Sequence, residues 1–207
     1  MMRYGSAHFI WDNEFRNIDN FEVMLDYNGK RSFNVKAVLN YYTGYTYFDA
    51  MALPRQLTDQ LLVGSIFIDK SFSWGGFNHR HQILLQKPTS DMIHLPLLAY
   101  GNTTYYQNAF FNNELKFQLG WDFTYTDRFY GDAYMPATGI FYNQHEEKIG
   151  QFPFLDAFVN LKIKRTRFTF QYTNALAGLA GTDYFKAYRY PTFGARFKFG
   201  LAWTFYN

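Results

Sequence analysis

Hydrophobic and polar residues alternate with a period of two along most of the chain. From position 114 to 126, Leu115, Phe117, Leu119, Trp121, Phe123 and Tyr125 hold one parity, and Glu114, Lys116, Gln118, Gly120, Asp122, Thr124 and Thr126 hold the other. Successive strand residues point to opposite faces, so this pattern predicts a strand with one apolar and one polar face. The last segment repeats it, with Phe193, Ala195, Phe197, Phe199, Leu201, Trp203 and Phe205 against Gly194, Arg196, Lys198, Gly200, Ala202, Thr204 and Tyr206. Leu155, Ala157, Val159, Leu161 and Ile163 alternate with Asp156, Phe158, Asn160, Lys162 and Lys164. Phe168, Phe170 and Tyr172 alternate with Arg167, Thr169 and Gln171, and Lys164-Arg165-Thr166 joins the two runs as a tight hairpin.

Near the start, Phe21, Val23, Leu25 and Tyr27 lead into Asn28-Gly29, and Phe33, Val35, Ala37, Leu39 and Tyr41 follow. Asn and Gly both tolerate the positive φ of a type I′ turn, so a hairpin bend is predicted at 28–29. Further breaks fall at Thr43-Gly44, Trp74-Gly75-Gly76, Asn112-Asn113 and from Asp127 to Asp132. These breaks divide one all-β, antiparallel domain, residues 1–207, into about ten to twelve strands. Many are near the roughly 9–11 residues that cross a bilayer when tilted. No helix of useful length is predicted.

Composition decides what covers the apolar parity. Phe, Tyr and Trp make up 22% of the chain and charged residues 18%. Each aromatic side chain buries on the order of 150–250 Å², more in sum than the interior of one small soluble barrel encloses, and lipid is the alternative cover. The longest apolar run, Leu61 to Ile68, is broken by Gly64 and Ser65 and is too short for a membrane helix. The membrane reading is therefore a transmembrane β-barrel. Aromatics gather near predicted strand ends, as in Tyr41-Tyr42 with Tyr45 and Tyr47, Tyr105-Tyr106 with Phe110-Phe111, and Tyr125 with Phe129-Tyr130. There a Tyr ring can sit at the lipid edge with its hydroxyl in water. A soluble sandwich or lipocalin-like barrel would share the alternation but not these girdles.

The net charge of +3 is mild and dispersed, which gives nucleic acid little to bind. Cysteine is absent, which removes disulfides, thiol catalysis and zinc knuckles. The first residues, Met1-Met2-Arg3-Tyr4-Gly5-Ser6-Ala7-His8, lack the apolar core of a secretory signal.

The final strand, Phe199-Gly200-Leu201-Ala202-Trp203-Thr204-Phe205-Tyr206-Asn207, resembles the C-terminal assembly signal of outer-membrane barrels, although it closes on Asn207 and not on an aromatic. Ala133-Tyr134-Met135-Pro136-Ala137 with Phe141-Tyr142-Asn143-Gln144 resembles the putative-porin family of Bacteroidetes. So do Pro153-Phe154-Leu155-Asp156-Ala157-Phe158-Val159-Asn160-Leu161-Lys162-Ile163-Lys164-Arg165, then Tyr184-Phe185 and Tyr190-Pro191. The likeness is strongest from Leu95 onward. It implies an outer-membrane barrel that passes small hydrophilic solutes, embedded in outer-membrane lipid and inserted by the barrel-assembly machinery through the C-terminal strand. Members of that family are longer and carry a signal peptide, so this chain is expected to be the C-terminal region of a larger barrel. A non-conducting anchor or partner-binding scaffold is the alternative role.

In a barrel the polar parity lines the lumen. Glu114, Lys116, Gln118, Asp122, Asp156, Asn160, Lys162, Lys164, Arg167, Arg196 and Lys198 are the candidate pore-lining residues. Cations outnumber carboxylates in the last three strands, which predicts a preference for anions. With the C-terminus periplasmic, 174–192 is an outer loop, 164–166 a periplasmic turn and 143–153 another outer loop. Segment 86–96 then falls on the side where a short turn is expected.

Catalytic chemistry finds little support. His79-Arg80-His81 puts two imidazoles on one strand face, which could ligate a metal, but a third ligand is not identifiable and a loop or lumen position is the expectation. His145-Glu146-Glu147 reads as a solvated outer loop without zincin spacing. No nucleophile elbow or phosphate-binding loop occurs. The chain is read as non-enzymatic, with neither cofactor nor metal.

Overall fold

The computed structural model describes residues 2–5, 10–181 and 184–205. Nine strands form one antiparallel sheet: β1 (Asp19–Gly29), β2 (Phe33–Thr43), β3 (Leu61–Trp74), β4 (Phe77–Pro88), β5 (Leu98–Phe110), β6 (Leu115–Thr126), β7 (Phe154–Ile163), β8 (Thr166–Thr173) and β9 (Arg196–Trp203). Each pairs with its sequence neighbours, so the sheet is an uninterrupted meander from β1 to β9. No helix occurs among the described residues. No sheet among them closes into a barrel, and β1 and β9 are free edges.

The main sheet holds fewer strands than the ten to twelve expected from sequence, although with the short segments outside it the described residues contain nineteen. The remaining β segments are short hairpins outside the sheet, such as Met2–Gly5 with Ile10–Phe15 and Thr46–Phe48 with Pro54–Gln56. Two predicted boundaries also move. The final strand begins at Arg196, leaving Phe193 and Ala195 in the preceding connection, while Tyr206 and Asn207 lie outside the described residues. The first hairpin bends over residues 30–32, with Arg31 and Ser32 at φ 59° and 53°, and Asn28 and Gly29 remain in the strand opposite Asn34 and Phe33.

Face matching explains that shift. A two-residue turn at 28–29 would set Tyr27, Leu25 and Val23 opposite Lys30, Ser32 and Asn34. The observed register sets them opposite Val35, Ala37 and Leu39. A one-residue slip exchanges the faces of a strand, so the odd-length loop is what the alternation demands, and it overrides the local turn preference of Asn-Gly.

The two rims differ. Residues 30–32, 75–76, 111–114 and 164–165 are short turns at one rim. The connections 44–60, 89–97, 127–153 and 174–195 all lie at the other. Segment 89–97 therefore belongs with the long connections, and the irregularity that sequence placed at 86–96 disappears once β4 is seen to run through to Pro88. The longest connection rises as a nested hairpin, Phe129–Tyr130 pairing with Lys148–Ile149 and Ala133–Met135 with Ile140–Tyr142.

Burial is concentrated at that rim. The buried apolar residues Ala52, Leu61, Val63, Ala133, Ile149, Phe152 and Tyr188 sit in or beside the long connections. Gln144, 3% exposed, ties the nested hairpin together: its Nε2 donates to the carbonyls of Gly131 (2.6 Å) and Glu147 (2.8 Å), and its Oε1 accepts from the amides of Glu146 and Glu147. The amide of Asn143 donates to the Phe48 carbonyl and its side chain to that of Met92, while Tyr188 and Arg189 both donate to Glu146. All four long connections are thus held to one another.

Candidate functional site

The register divides the sheet into two unlike faces. One carries Phe21, Val23, Leu25 and Tyr27 of β1, Ile66 and Phe72 of β3, Leu119 and Trp121 of β6, and Phe197, Phe199, Leu201 and Trp203 of β9. All of these are exposed large apolar side chains. Covering one such side chain is worth roughly 1.5–3 kcal/mol, so a sheet leaving this many bare calls for an apolar surrounding. Trp74, at 83% exposed, with Phe77, Phe110 and Trp203 forms an aromatic belt at the short-turn rim.

The opposite face is polar and carries most of the residues singled out from sequence. Lys116, Gln118 and Asp122 of β6, Asp156, Asn160 and Lys162 of β7, Arg167 of β8, and Arg196 and Lys198 of β9 share it. Glu114 and Lys164 do not. Their parity continues past the last cross-strand pair, but both stand in turns at the short-turn rim, where their side chains form an exposed ion pair at 3.7 Å.

Cross-strand pairing aligns three cations in a row. Lys116 faces Lys162, and Lys162 faces Arg167. None of the three is ion-paired among the described residues. They line an open groove of about 710 Å³ together with Gln118, Asn160 and Thr169. Like charges directly opposite one another destabilise a sheet, so structure alone gives no reason for the row. Nearer the long-connection rim, Asp122 faces Asp156. A second cavity, of about 290 Å³, brings these carboxylates beside Lys186, Arg196 and Lys198. Across the sheet charge is neutralised: Arg80 Nη2 donates to Asp69 at 2.6 Å and its Nε to both carboxylate oxygens.

His79 and His81 occupy neither a loop nor the polar face. Both lie on the apolar face of β4, where His79 Nδ1 meets the Thr104 hydroxyl at 3.0 Å and His81 Nδ1 meets the Tyr100 hydroxyl at 2.8 Å. Sequence reasoning did not single out His94. Its partner His145 is 51 positions away on another connection, and spacing carries no signal for such a pair.

In the connection 44–60, Asp49 accepts from the amides of Met51 and Leu53 and from Arg55 Nε at 2.8 Å. Partial burial pushes its carboxyl pKa up, but these hydrogen bonds and the Arg55 charge outweigh it and hold the group below the usual carboxylate value. Tyr188 is shifted upward, chiefly because its hydroxyl donates to the Glu146 carboxylate.

A purely antiparallel meander with one bare apolar face, one polar face and connections alternating short and long has the design of transmembrane β-barrel walls. The chain belongs to the family described as "Putative porin", whose family model matches residues 1–207. No significant match was found among the curated proteins or the solved structures.

Proposed function

We propose that this chain forms the wall of an outer-membrane pore for small hydrophilic solutes, with its polar face toward the water-filled lumen and a preference for anions. The observation that carries the reading is the division of the sheet into an exposed apolar face and a polar face bearing a row of cations that have no ion pair among the described residues. Hydrocarbon tolerates a sheet only where the backbone is paired from strand to strand, and the meander supplies that pairing throughout its interior. Lipid covers the apolar face, while the long connections face outward and the short turns the periplasm. β9 is then the strand offered to the assembly machinery. Family membership supports a transport or structural role and not a catalytic one.

Planar-bilayer conductance of the refolded chain is the test. Stepwise openings with a reversal potential of anion-selective sign across a salt gradient are expected. The free edges of β1 and β9 favour a second reading, a non-conducting barrel or scaffold completed by other strands. Silence from protein shown to be inserted would select that reading.

A further inference from the structure

The strongest unassigned feature lies at the long-connection rim, where His94 of 89–97 meets His145 of 127–153. Their Nε2 atoms are 3.4 Å apart and their rings nearly perpendicular. On the far side of its ring, His94 Nδ1 lies 2.7 Å from Asp132 Oδ1, and the His94 side chain is only 3% exposed. A carboxylate on Nδ1 favours the tautomer with its proton there, in which the Nε2 lone pair is directed to the side of His145. We propose that His94 and His145 form a binding site for a zinc-like divalent transition-metal ion, with Asp132 as the carboxylate that orients His94.

The distances suit that ion. Zn–N bonds of about 2.0–2.1 Å in tetrahedral geometry separate two ligand nitrogens by about 3.3–3.4 Å. A direct N–H···N hydrogen bond at 3.4 Å would be long, outside the range that protein donors favour. A carboxylate on the remote nitrogen of a ligating histidine recurs at zinc sites, where it sets the tautomer and raises the basicity of the ring. Among the described residues no third His, Cys, Asp or Glu joins the pair in a cluster suited to a metal, so the two imidazoles are the protein ligands the described residues supply. The remaining positions open on a cavity of about 420 Å³ whose charged walls are three cations, Lys87, Arg128 and Lys148, and two carboxylates, Asp91 and Asp127. Water or a small anionic ligand completes the shell. The two histidines come from different connections, so the bound ion pins 89–97 to the nested hairpin above the wall.

The test is zinc titration of the refolded full chain in detergent against a chromophoric chelator, with Co²⁺ absorption reporting coordination geometry. His145 is exposed, and His145→Ala is expected to weaken zinc binding at least about tenfold without disturbing packing; Asp132→Asn should weaken it about 10–100-fold. His94→Gln should do the same as His145→Ala, and joint replacement of His79 and His81 by Ala should change nothing. Equal zinc affinity in wild type, His145→Ala and His94→Gln would overturn the assignment, as would loss of binding in the His79/His81 variant. The result is independent of whether the chain conducts.

Discussion

Gly76 closes the turn between β3 and β4 at φ 87°, and a Cβ added there would stand 2.6 Å from the carbonyl oxygen of Gln107 on β5. Backbone conformation and a backbone contact both exclude a side chain at this position. Gly76→Ala should cost about 1–3 kcal/mol. Gly75, at φ 55° with open space around its Cα, should accept Asn with little loss. Urea midpoints of the two variants in micelles would separate these effects. The Asp49 cap gives a pH dependence of known sign. Its folded pKa is depressed, so its stabilisation is complete above the ordinary carboxylate pKa of about 3.9 and is lost as pH falls through the lower folded value. Proteolysis within 44–60 should therefore accelerate only in acid below that range, and Asp49→Asn should remove the pH dependence. At this scale the sequence was partly legible. Parity placed Lys116, Lys162 and Arg167 on one face, but parity carries no mark of where pairing ends, so Glu114 and Lys164 read as wall residues although they are turn residues. The pairing of His94 with His145 depends on how two connections fold over each other and left no periodic trace.

The β6 strand tests which face meets lipid. Leu119 and Gln118 are neighbours on opposite faces near its middle. An Arg at mid-depth on the lipid face of a barrel costs about 2–4 kcal/mol, whereas a lumen position tolerates it. Leu119→Arg should accordingly lower folding stability in lipid by about that amount, and Gln118→Arg should leave it nearly unchanged. Equal costs would remove the assignment of faces. Strand membership and facing were readable from alternation alone because period two is a property of the isolated strand. The bend after β1 was not, since Asn-Gly scores a local preference while the register is chosen by matching Tyr27, Leu25 and Val23 to Val35, Ala37 and Leu39 across the pair. Local and pairwise energies disagreed there, and the pairwise term extends over the whole strand.

For the whole molecule, the row Lys116, Lys162 and Arg167 should set the sign of the permeating ion. Two unit charges near contact in water interact by about 1 kcal/mol, enough to change a local ion concentration several-fold. Lys162→Glu should shift the reversal potential toward cations by a corresponding several-fold change in permeability ratio, with single-channel steps still present. An unchanged potential would place the row away from the conducting path.

Because the meander has nine strands and neighbours run antiparallel throughout, β1 and β9 point the same way. Joining them directly would make a parallel seam, with slanted hydrogen bonds unlike those anywhere else in the wall. Closing the ring antiparallel requires an even number of strands, as single-chain bacterial barrels have. The arithmetic of direction thus leaves two ways to seal the wall in lipid: one mismatched seam, or an odd number of further strands inserted between the first edge and the last.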